Sequence, residues 1–314
     1  MWKISYFCDE LMGPFGKFED SLELMRRHGI EYIDLRCVDG PSFLELDDQE
    51  LDSVQSLLSK YGLRVAGLGA PLFKCSLRGR EGPSWGSRHG FGDRSYEEHL
   101  ELLPRAFQIA DKFGAANVRC FSFWREAEPD DVFDEVVEKL GRAARRAGEL
   151  GYALAMENEH DTTAGTGIEA ARILRAVNSP YLTSIYDAGN SARRGGIPYP
   201  NDYEALKGLI THVQIKHEGI GIDDNMHGWS DPNLPIRGHV QIADRTVEIA
   251  GRFTLLPVTQ RLFIDYLGFL KALRADGYEG FINVDAGDNS PDYEVNLQRT
   301  IPALKATIAE LWPT

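Results

Sequence analysis

Cysteine is scarce and scattered: Cys8, Cys37, Cys75 and Cys120 are the four in 314 residues, and no two make a C-x-x-C pair. Such spacing suggests neither a zinc knuckle nor a redox couple. Cys8, Cys37 and Cys120 fall at the ends of apolar runs, where a small, buried, reduced thiol is expected. Long apolar runs are missing as well. None approaches the roughly 18 residues a membrane helix requires. The N-terminal MWKISYFCDELMG lacks a basic stretch followed by a long apolar run and a small-residue cleavage site. The expectation is a cytoplasmic protein with no membrane partner.

Positive charge is in deficit. The 34 Lys and Arg stand against 48 Asp and Glu, a formal net charge of −14, and that field repels a polyphosphate backbone. Nucleic acid is therefore not an expected partner. No glycine-rich phosphate loop follows the first apolar run, since CDELMGPFGKFED fits one poorly, which argues against a doubly wound sheet. No low-complexity tract, heptad repeat or interdomain linker breaks the chain. Residues 1–314 read as a single domain, and 43% hydrophobic residues suffice for a substantial core.

What is present is a regular alternation. Eight short β-rich runs (WKISYFC, IEYIDLRCV, LRVAGLG, NVRCFSFW, ALAMEN, LTSIYDA, HVQIKH and FINVDA) are separated by amphipathic helical segments such as FEDSLELMRRHG and DQELDSVQSLLSKYG, several of which end in Gly. The pattern predicts an α/β fold, a (β/α)₈ TIM barrel closed by a last helix over roughly 292–311. Long loops are expected after strands three and seven. The first, PLFKCSLRGREGPSWGSRHGFGDR, mixes Arg78, Arg80, Arg88 and Arg94 with Trp85, Phe91 and five glycines, as suits either a flap over a polar ligand or a solvated basic loop. The second, roughly 218–258, is long enough to be a lid or a partner surface.

Four of the runs end in an oxygen donor: Glu157, Asp187, Gln214 and Asp285. Side chains alternate along a strand, so Leu154 and Met156, Val213 and Ile215, and Ile282 and Val284 face away from the donors they flank. That is the pattern of a barrel strand covered outside by helices, with chemistry at its C-terminal mouth. Asp187 follows Glu157 by 30 residues and Gln214 follows Asp187 by 27, close to one βαβ unit of roughly 30 residues. Any single buried carboxylate at a strand end could instead pair with Arg119 or Lys216. An all-oxygen set favours one hard divalent metal, Mn²⁺ or Mg²⁺, over a structural zinc.

Nearly the whole chain resembles the xylose-isomerase-like TIM barrels, a family of sugar and sugar-phosphate isomerases and epimerases. The resemblance is carried by M-E-N at strand five, Y-D-A-G-N at six, H-V-Q-I-K at seven and I-N-V-D at eight. It implies that Glu157, Asp187, Gln214 and Asp285 hold the metal, and that Glu157 and Asp285 move the proton next to a substrate carbonyl. Two departures accompany it. Gln214 stands where His is commoner, and Asp285 is one methylene shorter than the usual Glu. A shorter side chain that fails to reach would turn the reaction towards one-base isomerisation or elimination.

The resemblance also implies a catalytic, oxyanion-stabilising role for Lys216, against a salt bridge to Asp187 or Glu157. Asn190 would contact substrate or simply cap the next turn. Glu159, His217, Arg119 and Trp124 are further candidates for substrate contact, with Trp124 suited to stacking on a sugar face. His160 could serve in acid–base chemistry, and His212, deeper in strand seven, reads as structural.

The leading expectation is a metal-dependent sugar or keto-sugar isomerase or epimerase that abstracts a proton next to a carbonyl and passes through an enediolate. One alternative is a lyase on the same scaffold, a keto-inositol dehydratase or the large subunit of a 3-keto C-glycoside deglycosidase. Another is a non-catalytic carbohydrate-binding barrel. The expected partner is a small-molecule carbohydrate, with room for a homo-oligomer or a small partner subunit.

Overall fold

The computed structural model describes residues 1–11, 16–78, 91, 93–216, 236–242, 245–251, 254–255, 263–285 and 293–312, and of the residues in 236–255, of 263, 293–296 and 299 it describes the backbone alone. Eight parallel strands form a closed barrel. They are, in chain order, Lys3–Phe7, Tyr32–Leu35, Arg64–Leu72, Val118–Cys120, Leu154–Glu157, Leu182–Asp187, Ile210–Lys216 and Phe281–Asp285. Six lie inside the apolar runs named above; strand three runs on to Leu72, past LRVAGLG, and strand seven begins at Ile210, before HVQIKH. Closure is made by strand one against strand eight, with Lys3 level with Phe281 and Tyr6 with Val284. The connections after strands three and seven are the long ones. Between strands seven and eight, Ile236–Ile242 pairs antiparallel with Arg245–Gly251, and Thr254–Leu255 with Phe263–Ile264.

Local chemistry fixes the helices. Asp47 and Ser95 each accept from the backbone N–H three residues on and receive a Glu side chain in return, at Glu50 and Glu98. Gly62 and Gly114 end the helices Asp48–Tyr61 and Leu103–Phe113 in the left-handed conformation, φ 68° and 66°, which glycine adopts without steric cost. The last helix is Tyr293–Leu311. Among the described residues no helix is long and apolar enough to cross a membrane.

Two layers of packing result. Leu154, Met156, Val213, Ile215, Ile282 and Val284 belong to the apolar core between strands and helices, as alternation requires. The barrel interior is polar instead. At its lower level Asp34 accepts from Ser5 and from Asn283 Nδ2 (2.7 Å), and lies 3.2 Å from His212 Nε2. Burial opposes the Asp34 charge, but His212 and these donors hold its carboxyl below the usual range. His212 is thus structural, as expected. All four cysteines are free and buried, and burial pushes the thiols of Cys37 and Cys75 up to about 12.

Candidate metal centre

Strand register sets Asp187 beside Gln214 and Lys216 beside Asp285, while Glu157 is level with Ile185, two residues before Asp187. Glu157, Asp187, Gln214 and Asp285 are all buried. One terminal atom of the Gln214 amide faces both neighbouring carboxylates, 3.3 Å from Glu157 Oε1 and 3.2 Å from Asp187 Oδ2. With nitrogen at that position the amide donates to both. With the carbonyl oxygen there, that oxygen stands against one carboxylate oxygen on each side, an arrangement that a cation between them would relieve. Two oxygens at right angles about a cation at about 2.0–2.1 Å stand about 3 Å apart. Glu157, Asp187 and Gln214 are hard oxygen donors suited to a divalent metal, and with its oxygen inward Gln214 stands from each carboxylate at about the spacing of two ligands on one ion.

Asp285 joins them through Lys216. The Lys216 ammonium is 2.9 Å from Asp187 Oδ2 and also donates to Asp285. It takes this place because residue 189 is glycine: a Cβ there would fall 2.1 Å from Lys216 Cγ. Asp187 Oδ1 meanwhile accepts from the Asn190 N–H at 2.8 Å, starting the short helix Ala188–Arg193. Asn190 does not cap that turn with its own side chain. Its Nδ2 donates to Glu157 Oε1 (3.3 Å) and to the Asn158 carbonyl (3.1 Å). The dipeptide-like Asn158–Asp187 pairing, Nδ2 to carbonyl and N–H to Oδ1 at 2.8 Å each, locks strands five and six at this level.

A family model for the xylose isomerase-like TIM barrel matches residues 22–306. The chain belongs to this family. No curated protein sequence matches it significantly. Among solved structures, it is similar to a xylose isomerase-like TIM barrel protein from Mycobacterium smegmatis in complex with magnesium (16% identity, TM-score 0.64, 99% of this chain and 98% of that one). It is similar also to an L-ribulose 3-epimerase (13%, 0.63, 99% and 96%) and to the probable 3-DHS dehydratase AsbF of petrobactin synthesis from Bacillus anthracis (14%, 0.61, 99% and 100%). At these identities the likeness is one of fold.

On this family scaffold the first half of the barrel contributes cations. Arg119, 2% exposed, bonds Glu157 Oε2 at 2.8 Å and the carbonyls of Gly69 and Ala70 at 2.8 and 3.2 Å. Its guanidinium lies 4.7 Å from the Phe121 ring centre and 5.4 Å from that of Phe7. Arg36 stacks on the other side of the site, 4.5 Å from Phe7, and pairs with Asp9 (2.7 Å) and Glu10 (2.9 Å). Lys74 Nζ is 3.3 Å from Glu159 Oε2 and sits over Phe121 and Trp124 at 4.6 and 5.4 Å. Trp124, buried, faces this ammonium and bridges to Thr162 across the mouth. His217 lies outside the described residues, as do Arg80, Trp85 and Arg88 of the loop after strand three.

Burial and these pairs set the charge states. Burial above all, with Asp285 and Glu157 adding to it, raises the Asp187 carboxyl to about 7 despite Lys216. Burial works the same way on Asp285, but Lys216, a hydrogen bond from Glu10 and Arg36 outweigh it and hold that carboxyl far below the usual range. Glu10 moves the opposite way, raised by burial and by the Asp285 charge. Glu159 is lowered against its burial by Lys74 and His160, and His160 is raised against burial by Glu159, 2.6 Å away.

Asp9, Glu10, Arg36 and Lys74 were not among the residues picked out in the sequence. Asp9 and Glu10 lie in the 3₁₀ turn after strand one, and Arg36 and Lys74 lie one and two residues past strands two and three, where no repeat spacing marks them. Among the described residues, the set of three His, Cys, Asp or Glu side chains whose ligand atoms lie within 4.8 Å of one another is Glu159, His160 and Asp161. Lys74 on Glu159 makes it an ion-pair cluster first.

Proposed function

We propose that the chain is a metal-dependent enzyme that isomerises or epimerises a sugar or keto-sugar by moving a proton next to a carbonyl through an enediolate. The observation that carries this is the convergence of Glu157 Oε1, Asp187 Oδ2 and the Gln214 amide at 3.2–3.3 Å in a member of the xylose isomerase-like family. A divalent cation, Mn²⁺ or Mg²⁺, held by Glu157, Asp187, Gln214 and Asp285 supplies the charge that polarises a substrate carbonyl and its neighbouring hydroxyl.

The side chains divide the remaining work. Glu157, aimed by Arg119 and Asn190, accepts the proton from the carbon next to the carbonyl. Asp285, a carboxylate held by Lys216 and hydrogen-bonded by the Glu10 carboxyl, which burial and the Asp285 charge keep protonated, passes the Glu10 proton on to the neighbouring position. Lys216 stabilises developing negative charge on oxygen. Glu159, His160, Lys74 and Trp124 line the mouth, where sugar hydroxyls and an apolar sugar face find donors, acceptors and an aromatic ring.

A second reading, elimination of water from a keto-polyol, is favoured by His160. Its Nδ1 is 2.6 Å from Glu159 Oε1 and 3.3 Å from Asn190 Oδ1, so an imidazolium stands beside the site to protonate a departing hydroxyl. Incubating a panel of keto-sugars with the enzyme and Mn²⁺ in deuterium oxide separates these. Deuterium at a carbon next to the carbonyl, with carbon skeleton and oxygen count retained, is the expected result. An unsaturated product establishes the lyase. Bound carbohydrate with no exchange across the panel contradicts both.

A further inference from the structure

The Lys216 ammonium engages two of the four oxygen donors at once. Asp187 Oδ2, 2.9 Å from Nζ, is the same oxygen that lies 3.2 Å from the Gln214 amide, and Asp285 accepts from Nζ as well. The side chain is 5% exposed, so water does not compete for the charge. Its stem lies across Gly189 at a distance no Cβ would allow, and its own N–H donates to the Tyr266 hydroxyl at 3.1 Å. One positive charge already sits on the donors a second, divalent one needs, and two cations on the same carboxylates repel each other strongly when buried.

We propose that Lys216 is an internal competitor for the metal. Binding at Glu157, Asp187, Gln214 and Asp285 requires its ammonium to withdraw from Asp187 and Asp285, and Gln214 to turn its carbonyl oxygen inward. Without metal, ammonium and amide nitrogen bridge the carboxylates and offset their repulsion; with metal, the released ammonium faces the substrate. The inference rests on the metal reading above and adds a regulator to it.

The test is Mn²⁺ affinity, read from the electron paramagnetic resonance signal of the free ion during titration of the chelator-stripped full chain. Lys216→Met keeps the apolar stem and removes the charge. It is expected to bind Mn²⁺ more tightly by about tenfold or more. Gly189→Ala keeps the charge and displaces the stem, and is expected to shift affinity in the same direction. The Lys216→Met result decides if that variant folds, as judged by circular dichroism, and the Gly189→Ala result decides if it does not. Equal or weaker binding in the deciding variant, with stoichiometric binding in wild type, overturns the inference and leaves the metal reading intact. No binding in wild type or either variant removes the metal reading and the inference together.

Discussion

The two halves of the barrel bring opposite charges to the same mouth. Strands five to eight carry Glu157, Asp187, Gln214 and Asp285 at or near their ends, whereas Arg36, Lys74 and Arg119 come from the ends of strands two to four. Each half compensates part of its own charge, Arg36 with Asp9 and Glu10 in the first and Lys216 with Asp187 and Asp285 in the second. The rest is compensated between them: Arg119 on Glu157 and Lys74 on Glu159 cross from one half to the other. The centre is thus a property of barrel closure, not of one βαβ unit.

The largest effect should come from breaking the most buried cross-half pair. Arg119→Met leaves Glu157 buried without its guanidinium and two carbonyls without donors, and should cost about 3–5 kcal/mol in urea unfolding at pH 7. A loss of less than about 1 kcal/mol, the scale of an exposed pair, would mean the halves do not depend on each other. Lys74→Met should cost less, about 2 kcal/mol, the value of one charge-assisted hydrogen bond.

The Lys74 pair also sets a pH dependence. Because Lys74 and His160 hold the folded-state Glu159 carboxyl below its unfolded value, the pair's stabilisation is present above the ordinary carboxylate range. It is lost as pH falls through that range towards the folded value, where the native carboxylate finally takes up a proton. Unfolding free energies across the acid limb should fall less steeply for Lys74→Met than for wild type. Identical slopes would show that Lys74 contributes nothing to Glu159.

The acidic half was legible because Glu157, Asp187 and Gln214 recur about one βαβ unit apart, Asp285 ends a run of the same alternation, and the M-E-N, Y-D-A-G-N, H-V-Q-I-K and I-N-V-D runs carry the family likeness. Alternation alone assigned Leu154, Met156, Val213 and Ile215 to the outer core, where they lie. The cationic half was not legible, Arg119 apart. Arg36 and Lys74 sit one and two residues past the ends of strands two and three, where no repeated donor spacing marks them off from surface charges. What fixes them is long-range: a Cβ on Gly69 would come 2.8 Å from Phe7 Cε1 and 3.1 Å from Arg36 Cβ. That glycine gives a smaller test. Gly69→Ala should overpack the Phe7–Arg36 stack and cost about 1–3 kcal/mol. An unchanged midpoint would show the stack has room to spare.

The smallest effect is expected at the exposed start of strand three. Arg64 and Glu31, 2.9 Å apart, join strands two and three of the same cationic half, but their side chains are 61% and 68% exposed. Arg64→Gln should leave the unfolding midpoint unchanged within error. A marked shift would mean that burial at the mouth is not what distinguishes the cross-half pairs.

The most direct measurement is an anomalous difference map from crystals of the full chain soaked in Mn²⁺. The account predicts one strong peak enclosed by Glu157, Asp187, Gln214 and Asp285, with Lys216 withdrawn. A peak at Glu159, His160 and Asp161, or none at the ends of strands five to eight at full soaking concentration, would contradict it.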